Sequence, residues 1–162
     1  MLLSVLTFVH VVISLVGIVA GLVVLRGLII GQQLDRWTTI FLGATVFTSL
    51  SGYLFPADHI LPSHIVGGIS LLVLALAIYA RSARRLQGVW RKVYVIAAVL
   101  ALYLNVFVAV VQAFLKIPAL RALAPTQTEP PFKITQLAAL VLFVALGAIA
   151  TIRYREKPLA LA

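Results

Sequence analysis

Five stretches of nearly uninterrupted apolar residues divide the chain: 2–25, 38–55, 60–80, 93–115 and 134–152. Each is close to the roughly 20 residues an α-helix needs to cross a hydrocarbon core. Strands of a membrane barrel would be about half as long and would alternate apolar with polar residues. Lipid offers the backbone no hydrogen bonds, so each stretch must satisfy its own amides, as a helix does. The pattern predicts an all-α polytopic membrane protein, a bundle of five transmembrane helices forming one integral membrane domain over 1–162. The first stretch has no basic segment before it, a long apolar core and no small-x-small cleavage site. It reads as a retained span and not as a signal peptide.

Composition agrees with this pattern. Of the 162 residues, 63% are hydrophobic and 10% charged, against about 45–50% and about 25% in soluble domains. Mean hydropathy is +1.15. Such a chain cannot present a solvated surface, so its first partner is the lipid bilayer. Glycine-rich helix faces also suit a homo-oligomer or a larger membrane complex. The absence of cysteine excludes a disulfide framework, a thiolate metal site and a cysteine nucleophile.

The net charge of +9 would suggest nucleic acid in a soluble protein, but no soluble module is available to bind it. Its distribution is more informative. Arg26, Arg36, Arg81, Arg84, Arg85, Arg91, Lys92, Arg153, Arg155 and Lys157 fall on one side of the predicted spans, and Lys116, Arg121 and Lys133 on the other. By the positive-inside rule the first group is cytoplasmic, which predicts an outside N-terminus and a cytoplasmic C-terminus. This topology suits the inner (plasma) membrane of a bacterial cell. Trp37 and Trp90 fall at the cytoplasmic interface, where indoles partition. The loop "RSARRLQGVWRK" either sets topology alone or also recruits anionic lipid or a cytoplasmic partner.

The outside loops carry the candidate chemistry. "DHILPSHIVGG", from Asp58 to Gly68, holds two of the three histidines and one of the four acids. Pro62 fits the first turn of span three, where its missing N–H costs nothing. His64 then lies within the first turn, with Gly67 and Gly68 leaving space beneath it for a ligand or for His10. The segment "KIPALRALAPTQTEPPFK" is proline-rich. "PALRALA" suits a short interfacial helix and "PTQTEPPF" an extended chain, whose Glu129 would close over the same mouth. "RGLIIGQQLDRW", before span two, suits an interfacial segment.

Polar and small residues also align within the spans at helical spacing. His10, Ser14, Gly17 and Gly21 share a face of span one, and Gly17-x-x-x-Gly21 is a helix-packing signal. Thr38, Thr45, Ser49 and Gly52 align in span two, as do Tyr94, Asn105, Gln112 and Lys116 in span four. In span five the stripe is Gln136, Gly147 and Thr151. Such stripes arise from interhelical packing and bonding. Ionisable groups within a membrane are also functional candidates, and here most strong polar groups fall in the outer half.

The leading expectation is therefore a small multi-pass protein that binds a ligand or partner in an outward-facing polar pocket. The candidate residues are His10, His64, Asn105, Gln112, Gln136 and Glu129. The second is a membrane redox subunit holding haem b, a metal or a quinone, with His10 and His64 as the metal ligands. The third is a small-solute or proton transporter. The sequence contains no G-x-S-x-G elbow, H-E-x-x-H motif or paired intramembrane carboxylates, which argues against hydrolytic chemistry. An enzymatic role would be as an oxidoreductase component.

Overall fold

The computed structural model describes residues 2–55 and 62–154. Asp58 and His59 lie outside the described residues, as do Arg155 and Lys157. The described chain is all-helical. It consists of α1 (Leu2–Ile29), α2 (Asp35–Ser51) continued by a 3-10 turn (Gly52–Leu54), α3 (Pro62–Ser82), α4 (Val89–Lys116), α5 (Pro118–Leu123) and α6 (Pro130–Arg153).

Four of these helices, α1, α3, α4 and α6, are long and apolar enough to cross a membrane. The fifth long helix, α2, has 17 residues. With its 3-10 turn it runs alongside α3. Its start meets the end of α3 through Asp35 and Arg81, and its far end meets the start of α3 through Tyr53 and His64.

Consecutive long helices run antiparallel. α4 is the central helix and packs against α1, α3, α5 and α6, while α2 sits between α1 and α3. This arrangement gathers Arg26, Arg36, Arg81, Arg84, Arg85, Arg91, Lys92 and Arg153 at one end, called here the basic end, and Lys116, Arg121 and Lys133 at the other.

The core is small and the exterior apolar. Phe41, Leu74, Val95, Leu102 and Thr45 are fully buried. Phe8, Leu72 and Val144 are exposed on the outer surface by 71%, 74% and 63%, while Thr38, Thr45, Ser51 and Ser70 are buried. This is the distribution expected where lipid is the solvent.

Against lipid, helices gain little from hiding apolar area, so close packing carries the association. Gly21 supplies it between α1, α2 and α4. A Cβ there would lie 2.6 Å from Leu102 Cδ1 and 2.9 Å from the Phe41 ring. A Cβ on Gly17, one turn earlier, would lie 3.4–3.6 Å from Thr45, Ala44 and Asn105.

Three local expectations change. The "RGLIIGQQLDRW" segment forms no element of its own. α1 continues through Ile29, and the chain reverses at Gly31, whose φ of +72° is the left-handed cap that glycine accepts without strain. α6 begins at Pro130, four residues before the apolar stretch, because Pro130 and Pro131 need no amide partner at a helix start. "PTQTEPPF" is not extended before that helix. Thr126 N–H, Thr126 Oγ1 and Thr128 N–H all donate to the Glu129 carboxylate at 2.9–3.1 Å. Gln127, in the left-handed region at φ +60°, sends its side chain to the Val111 carbonyl of α4 at 3.0 Å. The predicted short helix in "PALRALA" is α5.

Candidate functional site

At the end of the bundle opposite the basic end, the end of α2 and its 3-10 turn collect histidines from two other helices. From α1, His10 Nδ1 lies 2.8 Å from Ser51 Oγ, and its ring meets Phe55 edge-on at 5.2 Å. Ser51 Oγ also donates to the Thr48 carbonyl at 3.2 Å. A hydroxyl has one proton. With that proton directed to Thr48, the His10 contact requires a hydrogen on Nδ1, which leaves the neutral ring a lone pair on Nε2. One turn below, Ser14 Oγ donates to the His10 carbonyl at 2.7 Å and lies 3.4 Å from Thr48 Oγ1. The α1–α2 seam is thus polar from His10 down to Ser14.

From α3, His64 stacks on Tyr53 with ring centroids 5.3 Å apart and planes 15° apart. The Tyr53 hydroxyl donates to the His64 carbonyl at 2.6 Å. Tyr53 also occupies the space left by the glycines of α3. A Cβ on Gly67 would lie 3.5 Å from the Tyr53 ring, and one on Gly68 would lie 3.2 Å from its hydroxyl. The expectation of an open space beneath His64 is corrected accordingly, since an aromatic side chain from α2 fills it. Neither periodicity nor spacing in α3 pointed to Tyr53. The signal was its position at the end of span two, where interfacial aromatics gather.

The other candidates stand apart from this rim. Asn105 Nδ2 donates to Thr45 Oγ1 at 3.0 Å, beside Gly17, which is seven residues or about 10 Å deeper than His10 along α1. Gln136 Nε2 donates to the Phe107 carbonyl at 3.1 Å on the α4–α6 seam, and its Oε1 is buried with no hydrogen-bond partner among the described residues. Gln112 shares the Asn105 face of α4 but is exposed two turns further out.

Glu129 is held by its own loop. Slight desolvation raises its pKa, and the bonds from Thr126 and Thr128 outweigh that effect, leaving the carboxyl below the ordinary carboxylate range. Among the described residues no three His, Asp or Glu side chains gather to hold a metal ion. His10 and His64 each meet a different part of the α2 terminus.

A second polar group, at the basic end, was not expected from the sequence. Arg81 of α3 is ion-paired with Asp35 of α2, and the buried Tyr94 of α4 lies beside Thr38 and Arg81. Tyr154, just past α6, is buried beside them. Burial, then the neighbouring Tyr94, pushes its phenol pKa up. A signal was present in the sequence, because Asp35 is the single acid among the basic residues between spans one and two. Comparison with protein-family models, with characterised proteins and with solved structures finds no match to this chain.

Proposed function

We propose that the chain is a five-span membrane protein, N-terminus outside and C-terminus cytoplasmic, that binds a ligand or partner at the rim formed by His10, Ser51, Tyr53 and His64. Two facts support five spans. The 17 residues of α2 with the following turn reach about 30 Å at 1.5 Å per residue. Asp35 and Tyr53 also touch opposite ends of the same neighbour, α3. The grouping of arginines and lysines at one end supports the orientation.

The observation that carries the binding reading is the His10–Ser51–Thr48 relay. It orients an imidazole at the end of the bundle next to the Phe55 ring, and with the Ser51 proton on the Thr48 carbonyl Nε2 is the acceptor. The ligand class is therefore a hydrogen-bond donor with an apolar body, such as a hydroxyl on an aromatic ring. Asn105 and Gln136 hold helices together beneath the rim. The redox-subunit alternative uses the same two imidazoles, with Nε2 of His10 as an iron or copper ligand or as the acceptor for a quinol. A bis-histidine haem would need both rings facing one iron, whereas here His10 meets Ser51 and His64 meets Tyr53, so this reading stands second.

An absorption spectrum and metal analysis of the purified protein come first. A colourless, metal-free protein is expected, and a Soret band or stoichiometric metal would transfer the reading to the redox subunit. The protein labelled with 13C at histidine Cε1 should then show shifts at His10 and His64, with His59 unchanged, on titration with decylubiquinol in nanodiscs. Three unmoved resonances would overturn the rim. A reporter fused after Ala162 should be active only in the cytoplasm, and activity on the other side would overturn the orientation.

A further inference from the structure

Only half of the Gln136 amide is used within the chain. Its Nε2 donates to the Phe107 carbonyl of α4 at 3.1 Å, while its Oε1 is buried without a partner among the described residues. The orientation of the amide is fixed, because only the NH2 group can face a carbonyl. α6 starts at Pro130, which places Gln136 about 9 Å along the helix at 1.5 Å per residue. At that depth lipid supplies no donor, and an unpaired buried carbonyl is costly. Buried polar atoms left without any partner are rare, so this one calls for a donor from outside the chain.

Aromatic rings bracket the oxygen along the α4–α6 seam. Phe132, one turn nearer the start of α6, meets Phe114 edge-on at 5.4 Å. Phe143, two turns further in, meets Tyr103 at 5.9 Å, and Tyr103 meets Phe107 at 6.2 Å. The seam between these groups is the loose part of the bundle. α4 is buried at Val95, Ala98 and Leu102, but every residue from Tyr103 to Val111 is half-buried. α6 has no buried residue before Phe143, and Ile134, Leu137 and Val141 on its other faces are exposed.

We propose that the outer α4–α6 seam binds a hydroxyl group, which enters between the Phe114–Phe132 and Tyr103–Phe143 pairs and donates to Gln136 Oε1. The amide oxygen, the Phe107 carbonyl beside it and the ring faces are all electron-rich, which favours a donor over an anion. The donor is an alcohol dissolved in the membrane or a buried water. Because Oε1 has no exposed surface, the donor parts the half-buried side chains of the seam as it enters. Once bound, it completes the amide and fastens the outer half of α6 to α4. The site shares no residue with the histidine rim and does not depend on it.

The test uses the full chain, labelled with 13C at glutamine Cδ, in phosphatidylcholine nanodiscs. Gln136→Met identifies the Gln136 resonance among the six glutamines, and a through-space contact to Phe107 identifies it if that variant does not fold. Titration with 1-dodecanol should give a saturable shift of that resonance, with Gln32, Gln33 and Gln87 unmoved. Dodecane, which has no hydroxyl, should leave it in place. Amide exchange over Ile134–Leu140 should slow severalfold with dodecanol in the parent and stay unchanged in Gln136→Met. A through-space peak between bound water and the Gln136 amide, with no response to dodecanol, would assign the hydroxyl to water. A water peak that disappears as the dodecanol shift grows would assign it to the membrane alcohol. Neither a water peak nor a dodecanol shift would overturn the site, and an equal response to dodecane would overturn the hydroxyl as what the seam recognises.

Discussion

Asn105 of α4 donates to the hydroxyl of Thr45 on α2 at 3.0 Å, and Thr45 passes its own proton to the Phe41 carbonyl at 2.7 Å. An amide near the middle of the bundle is thereby tied to a residue 60 positions earlier, across the gap that Gly17 of α1 leaves open. This contact links three helices at the depth where lipid offers no substitute partner.

Asn105→Leu should destabilise the bundle by about 0.5–1.5 kcal/mol, the usual size of a side-chain bond between membrane helices. The loss stays modest because Thr45 retains its bond to Phe41. Reversible unfolding in mixed detergent micelles measures it. A loss of several kcal/mol would mean that Asn105 holds more than Thr45.

The two glycines of α1 should respond differently to alanine. At Gly17 the added methyl meets neighbours at 3.4–3.6 Å, which is ordinary contact, so Gly17→Ala should be near neutral or gain from helix propensity. At Gly21 it would lie 2.6 Å from Leu102 and 2.9 Å from the fully buried Phe41. Gly21→Ala should therefore cost about 1–3 kcal/mol through overpacking. Unfolding of the two variants side by side checks this, and an equal response would refute the packing described for α1.

At the basic end, Asp35→Asn should cost less than about 1 kcal/mol, because the Asp35 side chain is 68% exposed and water screens the pair with Arg81. That loss should shrink with added salt. Tyr94→Phe should cost about 1 kcal/mol whatever the salt, because Tyr94 is buried with its polar end beside Thr38 and Arg81. Denaturation at low and high ionic strength separates the two effects.

The loop before α6 should respond to acid. Its bonds from Thr126 and Thr128 hold the Glu129 carboxyl below its ordinary pKa. A group lowered in the folded state contributes stability at pH values above its unfolded pKa and loses it as pH falls through the folded one. Amide protection factors at Thr126 and Thr128 should fall across that acid window and be low at neutral pH in Glu129→Ala. Unchanged protection in the variant would show that Gln127 and the prolines hold the loop without it.

Sequence alone determined the helical class, the position of every long helix to within a few residues and the sorting of charge between the two ends. These are one-dimensional properties. A span must be a continuous apolar run to cross lipid, and arginine and lysine must lie outside it. Helix ends were less legible because proline and glycine caps extended α6 and α1 past the apolar stretches. Only the tertiary structure decided which polar group meets which. Periodicity placed His64, Gly67 and Gly68 on one face, but Tyr53, from another helix, fills the space they leave. It grouped Asn105 with Gln112, yet Asn105 turns to Thr45 and Gln112 is exposed. Arg81 was read as a loop charge that sets topology, and it forms an ion pair with Asp35, 46 positions away. Spacing along one helix fixes which residues share a face. What that face meets depends on the rotation and depth of helices distant in sequence, and these are set by the packing of the whole bundle.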